Sequence, residues 1–544
     1  MFGESVVRRT PETSTVGAPC CPPLHVALHE HLAAEGEPGI LEPATYLREV
    51  TGTDLPWIES EGMIDPSTLA ERAASHFELR RENHMPGEAN RTRYIHARRA
   101  LIPEGWARDA RAGIEQGHIT SLETDVAPAP EDIRTSLLLP GLPNLHSHAF
   151  QRAMAGLSEY RGPTNDSFWT WRETMYRFAL VMTPEHVEAI AALAYMEMLE
   201  KGFTRVGEFH YVHHDIDGGP YDDVAEMASR IAAAAARTGI ALTLLPVFYA
   251  HADFGGVDAN PGQRRFVTDL DTYSRLLQES ERALRDLESP VVGVAPHSLR
   301  AATLEEIREV STMRPNAPAH IHVAEQQREV DGCISWSGKR PVGLLLDELG
   351  IDERWCLIHA THMNPTEVDR LAASGAVAGL CPITEANLGD GVFPGGDFIA
   401  SGGRYGVGTD SNVAIDAAGE LRQLEYSQRL RHRERNVMAT STSTGRSLFD
   451  TALLGGSTAL GAGRSGLAIG APADLVALTS DVMDITDGDA AVNGWVFTNQ
   501  VTVSDVWVAG HHVVREGKHV RRDEIARDYR STIHHVRQAA DLQR

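Results

Sequence analysis

Strand-like apolar runs alternate with helical stretches through the middle of the chain. Eight such runs occur, and each has an apolar part followed by His, Glu, Asp, Asn or Arg at or next to its end. In chain order they are LLLPGLPNLHSH, RVGEFHYVHH, ALTLLPVFYAH, VVGVAPHSLR, AHIHVAEQ, WCLIHATH, AVAGLCPITEAN and RYGVGTDSN. In a (β/α)8 barrel the carboxyl ends of the strands face one common rim, where the chemistry sits. The pattern therefore predicts the α/β class and a (β/α)8 TIM-type barrel over residues 138–454.

One helix between these runs is marked at both ends. Thr183 can cap it, Pro184 suits its first turn and Gly202 ends it. Its apolar face carries Val187, Ile190, Ala194 and Met198. An open α/β sheet would also alternate strands and helices, but no Gly-rich phosphate loop follows the first strand. Eight polar strand ends favour the barrel.

Shorter alternating runs, separated by Gly and Pro, flank the barrel on both sides. We expect residues 91–137 and 455–520 to build one small β-sandwich from both flanks, followed by a C-terminal helix over residues 521–544. Residues 1–90 show no evident strand pattern and are left unassigned. They are a disordered or accessory segment, or a misassigned start that precedes a true first residue at Met85.

Composition narrows the class of partner and the compartment. A net charge of −25 disfavours nucleic acid and anionic membranes, because the overall field repels polyanions. Five cysteines without regular spacing do not form a disulfide framework. The chain start lacks the apolar core of a signal peptide, and no run approaches the ~20 apolar residues of a membrane span. We expect a cytoplasmic protein.

Four of the polar strand ends suit one divalent ion. His146 and His148 end the first run, and residues two apart on a strand point the same way. His322 ends the fifth run and Asp410 ends the eighth. Three neutral imidazoles and a carboxylate are typical ligands of Zn²⁺ at a site that keeps one position for water.

Five motifs occur in an order that resembles the amidohydrolase superfamily of metal-dependent barrel hydrolases, over about residues 92–520. The motifs are PGLPNLHSHAFQR, HIHVAEQ, IHATHM, GVGTDSN and GAPADLVAL. The barrel's only lysines, Lys201 and Lys339, end no strand, so no bridging carboxylated lysine is evident. The resemblance thus implies the deaminase-type branch with one metal ion, most plainly Zn²⁺, and a homodimer.

The resemblance also implies roles for the remaining strand-end residues. Glu325 would take a proton from the metal-activated water and deliver it to the departing nitrogen, while His359 would stabilise the tetrahedral intermediate. The segments HAFQRAMAGLSEYRG, DSFWTWRETMYRF and GEFHYVHHDIDGGPY resemble a branch that hydrolyses the small dianionic substrate N-formimino-L-glutamate, in histidine degradation, with release of ammonia. By resemblance the substrate would contact Gln151, Arg172, Tyr211, His297 and Arg300.

Other interpretations stay open. The chain could be another deaminase of the superfamily, acting on a guanine-like ring or other cyclic amidine. It could also be a non-catalytic barrel scaffold, although every ligand position is filled. Six further histidines and two tryptophans have structural interpretations. We expect a packing or supporting role for His320, Trp169 and Trp171, loop or surface positions for His213, His214, His511 and His512, and a minor alternative for His362 as the polar group of strand six. His29 and His31 are expected to have no metal role.

Overall fold

The computed structural model of the protein describes residues 93–161 and 167–540, within a compact unit that spans Thr92–Arg544. The expectations for residues 1–90, for Met85 and for His29 and His31 lie outside the described residues.

Seventeen strands lie in the described ranges. They are β1 (Arg93–Ile102), β2 (Gly105–Glu115), β3 (His118–Glu123), β4 (Ile133–Pro140), β5 (Leu142–Ser147), β6 (Phe203–His210), β7 (Ala241–Phe248), β8 (Val291–Val292), β9 (Ala295–Pro296), β10 (Ala319–Val323), β11 (Trp355–His359), β12 (Val377–Leu380), β13 (Arg404–Val407), β14 (Leu475–Thr479), β15 (Thr502–Val508), β16 (His511–Arg515) and β17 (Lys518–His519).

The α-helices of the same ranges connect or follow these strands. They are α1 (Phe168–Ala179), α2 (Pro184–Glu200), α3 (Glu226–Thr238), α4 (Leu270–Leu284), α5 (Leu304–Met313), α6 (Gln327–Ser337), α7 (Pro341–Glu348), α8 (Pro365–Ser374), α9 (Pro382–Leu388), α10 (Gly395–Ala400), α11 (Ala417–His432), α12 (Thr444–Ala459), α13 (Gly488–Phe497) and α14 (Arg522–Ala539). Short 3-10 helices occupy Ala149–Met154 and Pro261–Gln263.

Two parallel sheets form the centre of the described chain. One runs in the order β5, β6, β7 and β8, with β9 also paired to β7, and the other runs from β10 to β13. Isolated parallel bridges link the edges of the two sheets: Ser147 to Asp410, Val294 to Ala319, and Ser298 to His322. Every residue of β6 and β7 is buried, which explains the nearly continuous apolar sequence of β7; β6 also buries Arg205, Glu208 and His210. The predicted α/β class with parallel strands is confirmed.

The first of the eight predicted runs is two strands rather than one. Its beginning, up to Pro140, belongs to β4 in the flanking sheet, and β5 starts at Leu142. Gly141 separates them, and its N–H donates to the carbonyl of Asp474 at 2.9 Å. A Cβ at this glycine would lie 2.1 Å from Cγ2 of Thr204, so only glycine permits the close approach.

Strands from both flanks of the sequence share one eight-stranded sheet. Its order is β17, β16, β15, β14, β4, β1, β2 and β3, with β14 antiparallel to β4 and β1 parallel to β4. Ile95, Leu138, Leu475 and Trp507 pack in its own buried cluster. The pairing of β4 with β14 therefore joins segments more than 300 residues apart in the chain to one core.

Helix α2 begins and ends where its sequence signals lie. The Thr183 hydroxyl accepts from the backbone N–H of His186, and the His186 ring accepts from the N–H of Thr183, a reciprocal cap. Gly202 follows the helix with φ +96°. Most of its residues are buried, because α3, α14 and the 3-10 helix Ala149–Met154 all pack against it. Among the described helices, none is both long and apolar enough to cross a membrane.

Candidate active site

The four predicted metal ligands converge on one point. Nε2 of His146 lies 3.0 Å from Nε2 of His322, and Oδ1 of Asp410 lies 3.5 Å from Nε2 of His146. His148 completes the group, with its Nε2 3.3 Å from the same Asp410 oxygen. All four side chains are buried. Tetrahedral ligands of zinc lie ~3.3 Å from one another when the Zn–N distance is about 2.0–2.1 Å. The cluster has the dimensions that a zinc ion requires.

The opposite ring nitrogens orient two of these imidazoles. Nδ1 of His148 donates to the Phe209 carbonyl at 2.8 Å, and Nδ1 of His322 donates to the His297 carbonyl at 3.1 Å. A ring that donates from Nδ1 presents an unprotonated Nε2, which is the form that binds metal. Burial lowers the pKa of His146 to about 3 and also lowers the pKa of the other two rings. The imidazoles are therefore neutral at pH 7.

The backbone behind Asp410 is held by a buried amide network. The side chain of Asn412 donates to the carbonyls of His148 and Asp410, at 3.1 and 3.0 Å. Its own oxygen accepts from the Thr409 hydroxyl at 2.6 Å. Asp410 has φ +46° and Asn412 has φ +56°, a left-handed turn at the end of β13. This network ties the last strand end to the first and keeps the carboxylate beside the imidazoles.

Glu325 and His359 lie next to the cluster. Nε2 of His359 is 3.7 Å from Oε1 of Glu325 and 3.8 Å from Oδ2 of Asp410. Burial raises the pKa of the Glu325 carboxyl to about 7. Burial alone would lower the pKa of His359, but the carboxylates of Glu325, Glu385 and Asp410 outweigh it and raise that pKa to about 10. A carboxyl whose pKa lies near neutral pH, next to a cationic imidazole, can accept a proton from a reacting group and return it.

Glu385 is a site residue that sequence analysis missed. Its Oε1 accepts from Nδ1 of His359 at 3.3 Å and from the Cys381 N–H at 3.0 Å. The hydrogen bond from Nδ1 directs Nε2 of His359 towards Glu325 and Asp410. The signal was present, because Glu385 lies in the polar end of the seventh run, PITEAN, but no motif assigned it a role.

All five predicted substrate residues line one cavity next to the four predicted metal ligands. This cavity is also lined by Glu325, His359 and Asp410, and aromatic walls are added by Phe168, Tyr176, Tyr249 and Phe266. The five predicted residues are Gln151, Arg172, Tyr211, His297 and Arg300. Trp171 also lines the cavity, although the sequence suggested a packing role, and Tyr249 follows the end of β7 within the third predicted run. No sequence motif assigned these aromatic residues a role at the site.

Two guanidinium groups in this cavity have N–H donors without a hydrogen-bond acceptor. Within residues 93–161 and 167–540, neither Arg172 nor Arg300 forms an ion pair or hydrogen bond, and the Nε of each is buried without a partner. A buried donor without an acceptor costs free energy, so both positions are suited to an anion that enters the cavity. Arg172 lies 4.6 Å from the Trp169 ring centroid. Trp169 thus contacts the site, whereas the sequence suggested a packing role.

The other two polar residues are arranged around Tyr211. Nε2 of Gln151 donates to the Tyr211 hydroxyl at 2.9 Å, and Oε1 of Gln151 is buried without a partner among the described residues. The ring of His297 packs edge-on against Tyr211 and tilted against His322, with centroids 5.7 and 4.8 Å away. Gln151, Tyr211 and His297 therefore add uncharged hydrogen-bonding groups to the cavity that holds the two arginines and adjoins the predicted metal ligands.

Several other histidines have structural partners. His320 is buried and bonds the Ala459 carbonyl at 2.7 Å, and His362 bonds the Asp390 carbonyl at 2.8 Å. His213 and His214 lie in the loop after β6, one of the two positions expected for them, and both are buried. Their rings bond the carbonyls of Val247 and Val267, which pins the loop after β6.

The final histidine pair lies in strand β16. His511 is exposed, while His512 stacks on Trp507 with ring centroids 4.5 Å apart and bonds Asp505 at 2.9 Å. The pair belongs to the flanking sheet.

Comparison with known proteins gives two family matches. Residues 137–513 match the amidohydrolase family, and residues 92–136 match the model described as formimidoylglutamate deiminase HutF, N-terminal domain. The chain is 50% identical over 442 residues to a formimidoylglutamate deiminase of Pseudomonas aeruginosa, which covers 80% of this chain and 97% of that protein.

Solved structures resemble the chain as well. A crystal structure of an amidohydrolase from Brucella melitensis has a TM-score of 0.81 and 56% identity, and covers 82% of this chain and 99% of that one. An adenosine deaminase from Xanthomonas campestris, solved with bound zinc, has a TM-score of 0.69 and 21% identity, over 82% of this chain and 98% of that one. At this identity the second likeness shows the fold alone.

Proposed function

Because the chain belongs to the amidohydrolase family, we propose that it hydrolyses N-formimino-L-glutamate to N-formyl-L-glutamate and ammonia in histidine degradation. The resemblance found in the sequence motifs is confirmed by the family match and the 50% identical relative. That relative is a formimidoylglutamate deiminase, and residues 92–136 match the N-terminal domain of the same class of enzyme. One observation carries the proposal: two guanidiniums with free buried donors share a cavity with a metal-ligand cluster.

Two carboxylates distinguish this substrate from a purine. A guanidinium binds a carboxylate with two parallel hydrogen bonds, so Arg172 and Arg300 can hold one carboxylate each. Gln151, Tyr211 and His297 line the space between the arginines and the cluster, where the formimino group would lie. The two carboxylate–arginine pairs would hold the formimino carbon near Glu325. The reacting groups are then already in position when the reaction begins.

The residues around the cluster supply the proton transfers. His146, His148, His322 and Asp410 would hold one divalent ion, which we propose to be Zn²⁺; such an ion lowers the pKa of water and polarises a C=N bond. Glu325 takes a proton as the water oxygen bonds to the formimino carbon and passes it to the imine nitrogen; it then moves the proton of the new hydroxyl to the same nitrogen, which leaves as ammonia. His359 donates from Nε2 to the oxygen on the tetrahedral carbon. The C–N bond breaks and a formyl group is left.

The fold that presents this site is proposed to be a (β/α)8 barrel. The edge bridges between the two parallel sheets support it, since they place the first strand end beside the last. We assign residues 138–454 to the barrel and residues 91–137 and 455–520 to the flanking β domain, followed by the C-terminal helix. Cysteines 333, 356 and 381 are buried and free, which supports our proposal of a cytoplasmic location. We retain a homodimer as the assembly expected from the family.

Ammonia release from N-formimino-L-glutamate tests the function directly. The zinc-loaded protein is expected to release ammonia, and Glu325→Gln is expected to keep its metal while losing turnover by about 10²–10⁴-fold, because the proton transfer is lost. Metal content by elemental analysis is the control for folding of the site. An active Glu325→Gln variant would remove this residue from the mechanism, and turnover of guanine-like substrates without turnover of formiminoglutamate would favour the alternative deaminase.

A further inference from the structure

A third arginine, Arg328, contacts Trp169 but does not line the cavity. The guanidinium carbon of Arg328 lies 4.3 Å from the centroid of the Trp169 ring. The same ring is approached by Arg172 at 4.6 Å and by Arg300 at 5.7 Å. Arg328 is exposed, whereas Arg172 and Arg300 line the cavity. One indole is therefore shared by an exposed guanidinium and by two that line the cavity.

None of the three guanidiniums is paired directly with an acid among the described residues, although Glu325 and Glu329 act electrostatically on Arg300. Over the described residues, Arg328 forms no ion pair or hydrogen bond, and the same holds for the two inner arginines. Cation–π contacts with one indole offset only part of the repulsion between three cations. Arginines elsewhere, such as Arg111, Arg152 and Arg340, form ion pairs with acids, whereas these three share one indole in a chain with a net charge of −25. Its chemistry calls for an anion.

The position of Arg328 is unfavourable for helix stability. It lies in the first turn of α6, where the helix N-terminus already carries a partial positive charge. No side chain caps this end of the helix. An arginine is the less favourable charge here, because an acid at the same position would stabilise the helix.

The backbone that carries Arg328 is fixed to the catalytic strand end. The buried carboxylate of Glu329 accepts from the N–H groups of Ala324 and Glu325, at 3.0 and 3.1 Å. Arg328 is three residues after Glu325 and adjoins this anchor. The outer arginine is thus held at a set distance from the reacting centre and is not a residue of a free loop.

We propose that Arg328 is the outermost member of an arginine track, formed by Arg328, Arg300 and Arg172 around Trp169, that captures dicarboxylates and passes them to the inner pair. The inference rests on the proposed function for the identity of the substrate. A protein of strong negative charge repels a dianion at long range, and an exposed positive group at the mouth offsets this repulsion where it matters. Arg328 then determines how fast, and how selectively, dianions reach the cavity.

The test uses a binding probe and a kinetic readout on the zinc-loaded full chain. Glutarate, a dicarboxylate without a reactive group, is titrated calorimetrically into wild type, Arg328→Gln and Arg404→Gln. Arg404 is a matched control because it is exposed, has no ion pair or hydrogen bond among the described residues, and begins β13 at the opposite end of that strand from Asp410. Arg328→Gln is expected to weaken glutarate binding about tenfold at low salt and to flatten its salt dependence. Arg404→Gln is expected to match wild type.

The kinetic arm separates capture from chemistry. For N-formimino-L-glutamate, Arg328→Gln should lower kcat/KM about tenfold at low salt and leave kcat within about twofold. Arg328→Lys should restore most of the salt dependence. Glutarate affinity and salt dependence equal to wild type in Arg328→Gln would overturn the track, as would a fall in kcat at unchanged KM. If glutarate binding changes in Arg328→Gln as expected but wild type does not turn over formiminoglutamate, the result contradicts the proposed function and not the arginine track.

Discussion

The imidazole of His359 is held between three buried carboxylates. Glu385 bonds its Nδ1, while Glu325 and Asp410 face its Nε2. Strand β11 ends at this histidine, whose φ is +69°, so the backbone turns sharply to place the ring over the cluster. A non-glycine residue rarely adopts this conformation, and it persists here because hydrogen bonds on both sides of the turn hold it.

Replacing Glu385 tests whether this arrangement sets the charge of His359. The Glu385→Gln side chain can still accept from Nδ1 but has no negative charge, so the raised pKa of His359 should fall towards its ordinary value. In the proposed mechanism activity requires the protonated ring and is lost as pH rises through that pKa, so the alkaline limb of kcat/KM should move to lower pH. We expect kcat to drop about tenfold. Metal content should be unchanged, and an unaltered alkaline limb would show that Glu385 does not act through His359.

Close approach between elements depends on glycine at one helix of the central fold. Helix α12 packs against β13 and β5, and a Cβ at Gly455 would lie 1.9 Å from the carbonyl oxygen of Tyr405. That contact is with backbone, which cannot rotate away. The helix therefore lies on the strands more closely than any side chain would permit.

Gly455→Ala should destabilise the protein by about 1–3 kcal/mol, since the added methyl forces the helix away from β13. Its neighbour on the same helix, Leu454, is 59% exposed, so Leu454→Ala is the matched control and should change stability by under about 0.5 kcal/mol. Urea denaturation followed by circular dichroism measures both. If the two variants unfold at the same urea concentration, a methyl group fits between α12 and β13 and the predicted clash at Gly455 is wrong.

At the scale of the whole molecule, the four predicted metal ligands come from distant parts of the chain. His146 and Asp410 are 264 residues apart in sequence yet their side chains meet, through the bridge between Ser147 and Asp410. An ion bound at this point would cross-link the first, fifth and last central strands. Because the ion binds only the folded chain, its binding free energy adds to the stability of the fold.

Metal removal should therefore lower the thermal midpoint of the protein. Excess ion at about 100 times its dissociation constant contributes about 2.7 kcal/mol, which a chelator would remove. Calorimetry of wild type with zinc and with chelator measures the difference. In His146→Ala the same comparison should give nearly no difference, because the cluster has lost a ligand. A chelator effect of equal size in that variant would place the stabilising ion elsewhere.

The sequence by itself determined the eight strand-like runs, the α/β class, the family and the spacing of His146 and His148. These features are local: the period of two along a strand and the polar residue at its end are visible without knowledge of neighbours. Only the tertiary structure decided that the first run breaks at Gly141, that His213 and His214 are buried, that Glu385 holds His359, and that three arginines surround Trp169. Each of these depends on which segments meet in space, and strand pairing and side-chain contact across the chain leave no periodic signal in the sequence.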